Sequence, residues 1–230
     1  MRRRTLLSAA GLTLLAGCTS RAPRPGRPAT SAPPLVADGT QAVARWTVSG
    51  GPEVPPRLAV YPGGWAVADA TYRLRLSDGE VADLVAHLTA DLAGSGSPAS
   101  GTPDAPVTQF MVRSGHRTTW AVVPDPAATA AYRDARDRLD AVYRRVTAGG
   151  QRYTGTRVRI VVGPDQAGDG RPWPNALPLP VGETPGAPMT EDLSGDAAGA
   201  AATLPRAWTR YRTASGEPVR ATWRWLLPDE

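Results

Sequence analysis

The chain has 230 residues, 41% of them hydrophobic and 20% charged, which excludes wholesale disorder and suits one large domain or two small ones. The formal net charge is +5, yet removing the six arginines that precede Asp38 leaves 20 Arg against 21 acidic residues, a net charge of −1. A nucleic-acid partner needs a basic stripe, and this body offers none. The single cysteine, Cys18, excludes an intrachain disulfide and any Cys₂ or Cys₄ zinc site, and the two histidines leave little for another metal.

Residues 1–18 read as an address. Arg2, Arg3 and Arg4 precede an apolar run from Thr5 to Ala16, followed by Gly17 and Cys18. A basic start and a short apolar run form a signal peptide, and the run falls short of the ~20 apolar residues of a membrane-spanning helix. Leu15-Ala16-Gly17-Cys18 resembles the bacterial lipobox, and that resemblance implies that the small residues admit a peptidase and that the thiol, the strong nucleophile of the segment, takes the lipid. The expected division is a signal peptide over 1–17, an anchor cysteine and linker over 18–37, and one α+β domain over 38–230. Export by the general or the twin-arginine route fits equally, since Arg3-Arg4-Thr5-Leu6-Leu7 matches the latter loosely. Pro23, Pro25, Pro28, Pro33 and Pro34 keep the linker extended, with a reach on the order of 60 Å.

From Val43 the apolar residues alternate. Ala44, Trp46 and Val48, then Leu58 and Val60, then Trp65 and Val67, then Tyr72, Leu74 and Leu76 each alternate as in half-buried strands, with a turn at Pro62-Gly63-Gly64. Ser77 and Glu80 form a capping box, and Val81, Leu84, Val85, Leu88 and Leu92 then share a helical face that ends at Gly94. A loop follows over 94–106. Residues 107–112 and 118–123 read as a hairpin turning at Ser114-Gly115. Asp125-Pro126 is read as the start of a second helix, with the stripe Tyr132, Ala135, Leu139, Val142 and Val146. Asp134 with Arg138, and Asp140 with Arg144, are placed to pair on its outer face. Tyr153 to Val162 reads as a strand, 163–193 as a long excursion, 196–204 as an Ala-rich helix, and 208–227 as a hairpin turning at Ser215-Gly216. The fold expected is an antiparallel sheet with two to three helices packed on one face.

Chemistry-bearing residues are sparse. His87 and His116 sit in no nucleophile motif, and no Gly-x-Ser-x-Gly elbow occurs. Asp69, Asp78, Glu80 and Asp83 offer carboxylates without marking a pair. Asp165 to Gly170 matches half of a calcium loop, but Ala176 stands where the bidentate Glu belongs. No metal or cofactor is expected. Seven tryptophans stand against one Phe. Trp46, Trp65, Trp120, Trp223 and Trp225 are read as core or sheet-face packing. Trp173, between Pro172 and Pro174, is either a plug on the domain or an exposed recognition residue. Arg210, Arg212 and Arg220 decorate the last hairpin and are candidate contacts to a ligand or partner.

The chain resembles a group of lipoproteins of high-GC actinobacteria. The likeness rests on Cys18, Val54-Pro55-Pro56, Thr102-Pro103-Asp104-Ala105, Arg171-Pro172-Trp173-Pro174 and the ending Leu226-Leu227-Pro228-Asp229-Glu230. In that group the cysteine thiol receives a diacylglycerol and becomes the new N-terminus. Relatives tend to carry Arg-Pro before this ending, where Arg224-Trp225 stands here, and they carry a cysteine before the last helix that this chain lacks. A redox role therefore does not transfer, and the resemblance implies location and extent alone. The expectation is a protein held on the outer face of the cell membrane by acyl chains on Cys18. There it binds or scaffolds another envelope protein or a wall polymer without catalysis. A cell-wall hydrolase with an unrecognised site is the alternative.

Overall fold

The computed structural model describes residues 40–49, 53–93, 107–123, 129–181 and 187–230. Cys18, the expected signal peptide and the linker lie outside the described residues, as do Gly94, Asp125 and Pro126. The alternating segments become β1 (Ala44–Val48), β2 (Leu58–Val60), β3 (Trp65–Ala68) and β4 (Tyr72–Arg75). With β5 (Thr108–Ser114), β6 (Arg117–Val123) and β7 (Gln151–Arg152) they form a seven-stranded antiparallel sheet ordered β6-β5-β1-β2-β3-β4-β7. One face carries Trp46, Leu58, Val60, Ala66, Ala68, Phe110 and Val112 into the largest core cluster.

Two helices cover that face. In α1 (Asp78–Asp91) the capping box forms in both directions: the Glu80 N–H donates to Ser77 Oγ at 3.3 Å, and the Ser77 N–H donates to the Glu80 carboxylate at 2.8 Å. The second helix, α2 (Ala130–Gly149), starts later than Asp125-Pro126. Its N-cap is Thr129, whose hydroxyl accepts from the Tyr132 N–H. A hydroxyl one residue before the first apolar position caps the turn directly. Arg144 pairs with Asp140 as expected, but Arg138 turns away from Asp134 and meets Asp91 of α1 at 3.0 Å. Arg145 likewise reaches Glu80 at 2.8 Å, so the two helices are joined by ion pairs at two levels.

The β3–β4 turn is conformationally demanding. Asp69 and Ala70 both hold positive φ, 48° and 46°, without being glycine. Such residues cost about 1–2 kcal/mol each. Local bonds offset this: Asp69 N–H donates to Arg57 O, Thr71 Oγ1 donates to Asp69 O, and the Tyr143 hydroxyl of α2 donates to the Asp69 carboxylate at 2.6 Å.

The α+β class holds, but the strands divide between two sheets. The second contains β8 (Arg157–Pro164), β9 (Arg171–Pro172), β10 (Met189–Ser194), β11 (Thr209–Arg212) and β12 (Pro218–Trp225), ordered β10-β8-β12-β11-β9. Its pairs are antiparallel except β11 with β9, which is parallel. Alternation alone does not tell which strands share a sheet, and so the single sheet of the sequence reading is corrected. The stretch 163–193 is also more ordered than a loop, since β10 pairs with β8 from Met189 to Ser194. The third helix, α3 (Gly195–Ala202), packs its alanines on this sheet with Val158, Ile160, Val162 and Trp223.

A smaller core lies on the face of the first sheet away from α1 and α2. It contains Ala59, Tyr61, Val67, Met111 and Tyr153, together with Leu227 from the final segment. That segment fastens both sheets. Asp229 pairs with Arg45 and accepts from the Ala42 N–H and the Tyr61 hydroxyl. Glu230 takes a two-pronged bond from Arg224 at 2.7 and 2.8 Å. Burial pushes the Glu230 carboxyl up, but the Arg224 guanidinium and the Leu227 N–H outweigh it and hold the group below its ordinary range.

Candidate functional site

The residues singled out by sequence do not form one site. Trp173 is a plug: its ring meets Tyr211 edge-on at 5.5 Å, and its indole N–H donates to Leu177 O at 3.0 Å. Arg210 meets Asp165 at 3.1 Å and Asp169 at 3.4 Å. The half calcium loop is thus closed by a guanidinium, and the Ala167 N–H and Arg210 hold the Asp165 carboxyl below its ordinary range. Arg220 lies over the Trp208 ring at 5.0 Å. Arg212 is exposed beside Gly168. His87 Nδ1 lies 2.7 Å from Asp83 O within its own helix, and His116 is exposed at the β5–β6 turn.

The structure assembles a different constellation on the outer face of β2, β3 and β4. A cavity of about 190 Å³ is lined by Tyr61, Gly63, Trp65, Val67, Arg73, Tyr153 and Pro228. Local sequence explains the arrangement. Gly64 holds φ +81°, and a Cβ there would lie 2.5 Å from Leu76 O. Only glycine fits this turn, which returns the chain so that Trp65 pairs with Arg75 and Val67 with Arg73. Residues two apart on a strand share a face, so Trp65, Val67, Arg73 and Arg75 point the same way. The wall opposite comes from the final segment, where Pro228 lies between Leu227 in the core and Asp229 at Arg45.

The electrostatics are one-sided. The guanidinium of Arg73 lies 4.8 Å from the Trp65 ring centroid and that of Arg75 lies 5.4 Å from it. Neither meets a carboxylate within 4 Å among the described residues. The buried Nε of Arg73 has no hydrogen-bond partner. A buried donor without a partner costs about 1–3 kcal/mol. Tyr61 donates its hydroxyl to Asp229 at 2.9 Å, and Tyr153 donates to Leu226 O at 2.9 Å. Burial first, and the Asp229 charge second, push the Tyr61 phenol well above its ordinary value, so it stays protonated. Both hydroxyl protons are thus committed within the fold. Trp65 itself is 36% exposed. The pocket thus offers a largely apolar wall and one cation without a carboxylate partner among the described residues.

Sequence reasoning placed Trp65 among packing residues and passed over Arg73, Tyr61 and Tyr153. The available clue was the Pro62-Gly63-Gly64 turn with Trp on one side and alternating Arg73 and Arg75 on the next strand. Tyr153 and Pro228 come from distant parts of the chain, and no local pattern announces them.

A second polar cluster lies at the β3–β4 turn. Arg57 stacks on Tyr143 at 4.5 Å and on Trp46 at 5.2 Å, with the Asp69 carboxylate beside Tyr143. Tyr143 ties both groups to α2, accepting the Arg57 stack on its ring and donating its hydroxyl to Asp69, so the cluster reads as a brace between turn and helix. Among the described residues, no three of His, Cys, Asp and Glu gather as a metal site would require, and no helix is long and apolar enough to cross a membrane. The chain matches no family model, no curated protein and no solved structure.

Proposed function

We propose that the chain is a lipid-anchored protein of the extracytoplasmic cell envelope, that it works as a binding module without catalysis, and that the Trp65–Arg73 pocket is its ligand site. The anchor rests on the sequence ending in Leu15-Ala16-Gly17-Cys18 and on the proline-rich spacer behind it. The binding role rests on one observation: Arg73, whose guanidinium lies over Trp65 and meets no carboxylate among the described residues, lines a concave, aromatic-walled pocket. A ligand anion would answer the Arg73 charge, since a guanidinium binds carboxylate or phosphate in the charge-assisted way. The pocket's tyrosines are held protonated, which removes them as bases.

The experiment has two arms in intact cells. A clickable fatty acid is expected to label the chain and to leave Cys18→Ala unlabelled; equal labelling of both removes the anchor. A photo-crosslinker placed at Gly63, where a Cβ meets nothing within 4 Å, is expected to capture a partner from the anchored chain. Capture that persists unchanged in Trp65→Ala removes the pocket from the reading.

A further inference from the structure

We infer that the free edge of β6 pairs with the same strand of a second copy of this chain, so that two first sheets join into one continuous antiparallel sheet. The pairing needs no ligand in the pocket on β3 and β4.

The register shows which way the β6 backbone faces. Successive residues of an antiparallel strand turn their N–H and C=O groups to opposite sides. On β5 the Arg113 N–H donates to Val43 O, and Val107 O, one residue before the strand, accepts from the Ser49 N–H. Odd-numbered residues of β5 therefore turn toward β1, and even-numbered ones toward β6. Arg113 stands opposite Thr118, Met111 opposite Trp120 and Gln109 opposite Val122, so these pairs exchange no backbone bonds. Thr118, Trp120 and Val122 thus turn their backbone groups outward, where no strand lies among the described residues.

The side chains of the same residues are open too. Trp120 is 53% exposed and Val122 is 37% exposed, and Thr118 is exposed beside them. Ala121 and Val123 face the main core, which accounts for their apolar character but not for that of Trp120 and Val122. The other sheet edges are blunted, as edges of natural sheets usually are. The strands β7 and β9 have two residues each, with Arg152 in one and Arg171-Pro172 as the other. The edge strand β10 carries Glu191 and Asp192, and Asp192 is held by Arg159. By contrast β6 runs for seven residues in unbroken register, and Thr118 to Val123 contains no charge, proline or glycine. Such an edge accepts a further strand, whose backbone supplies the affinity.

The strand that fits is extended, uncharged and rich in β-branched or aromatic residues, and β6 is itself such a strand. With a two-fold axis at Trp120, the two Trp120 residues lie opposite each other, Thr118 of one copy lies opposite Val122 of the other, and Arg117 lies opposite Val123. Every outward N–H and C=O of Thr118, Trp120 and Val122 then finds a partner. The tryptophans form a cross-strand aromatic pair, and the two Arg117 charges are kept apart at opposite ends. A contact that is the same on both copies closes as a dimer.

The test uses the full chain in detergent, followed by sedimentation over a range of concentrations. The parent is expected to form a dimer. Trp120→Lys and Val122→Lys, which put a charge on the exposed edge, are each expected to weaken association at least tenfold with an unchanged circular dichroism spectrum. Val181→Lys, at a residue 94% exposed and outside β6, is expected to behave as the parent. Disulfide trapping reads the register, against a parent whose one cysteine is Cys18. Residues that exchange bonds across an antiparallel pair have Cα atoms about 5.5 Å apart, within the span of a disulfide. Trp120→Cys should therefore trap dimers, Thr118→Cys alone should not, and Thr118→Cys combined with Val122→Cys should. A parent that is monomeric at every concentration overturns the self-pairing and leaves the edge to a strand of another protein. Dimers that persist unchanged in both lysine variants overturn β6 as the interface. Trapping by Thr118→Cys alone that matches Trp120→Cys overturns the register.

Discussion

On the second sheet Arg210 meets Asp165 and Asp169, Arg159 meets Asp192 at 2.7 Å, and Arg224 grips Glu230. On the first sheet Arg73 and Arg75 lie over Trp65 and meet no carboxylate among the described residues. Both regions look alike in sequence, with arginines alternating beside tryptophans on a strand. They differ in what the fold sets opposite. Arg220 over Trp208 shows that stacking alone does not make a site, because that pair lies on an open face. The first sheet sets its cation in a concavity closed by Pro228 and two tyrosines. A cation becomes a candidate for ligand binding when burial and the lack of a partner coincide.

The largest effect that sharpens this contrast is expected at Asp229. Its side chain is 11% exposed and that of Arg45 is 19% exposed. Asp229→Ala strands the Arg45 charge and removes the acceptor of Tyr61 and of the Ala42 N–H. Breaking a buried pair from one side costs about 3–5 kcal/mol. Urea unfolding should show a loss of that size, together with weaker pocket binding because Pro228 shifts. A loss below about 1 kcal/mol would mean that the final segment does not fasten the two sheets.

A smaller effect is expected from acid at the α1–α2 junction. The Ser77 N–H, with Arg145 and the Ser77 hydroxyl behind it, lowers the Glu80 carboxyl to about 2. A depressed carboxyl stabilises the fold above its unfolded value and loses that contribution as pH falls through the folded one. The window therefore opens below the ordinary value of 4.5 and closes near 2. Glu80→Gln should flatten the stability profile between those values and leave it unchanged in shape above pH 6. An unchanged slope in the variant would assign the acid sensitivity elsewhere, with Glu230 and Asp192 next in order because their carboxyls are held low too.

Much of the scaffold was legible because it is local. Ser77 and Glu80 are three residues apart, and the capping box formed as read. The stripe Tyr132, Ala135, Leu139 and Val146 is buried in α2. The α+β class followed from alternation and helical stripes. What stayed hidden is non-local. Met189 to Leu193, five of the six residues of β10, fell inside the proline- and glycine-rich excursion over 163–193, and their strand character comes from pairing with β8. Asp134 and Arg138 have the right spacing, but Asp91 of a neighbouring helix wins Arg138. The ending Leu226-Leu227-Pro228-Asp229-Glu230 stood out as a motif without a reason. The reason is tertiary: Asp229 serves Arg45 and Tyr61, more than 160 residues away. The pocket was illegible for the same cause, since Tyr61, Arg73, Tyr153 and Pro228 meet only in the fold.

The smallest effect tests the contrast most directly, by comparing Arg210→Gln with Arg73→Gln in the absence of ligand. Arg210 is 56% exposed at its side chain, and exposed ion pairs contribute about 0–1 kcal/mol. Its removal should destabilise the chain by no more than that. Arg73 has no ion pair to lose among the described residues. Its stacking on Trp65 is worth about 0.5–1 kcal/mol, and the cost of its unpartnered Nε is removed with it. The two terms oppose, so Arg73→Gln should leave the unfolding free energy within about 1 kcal/mol of the parent. A loss above about 2 kcal/mol would make Arg73 a structural residue held by contacts of its own. The region around Trp65 would then belong with the paired arginines of the second sheet, and its claim to a ligand would fall with the comparison.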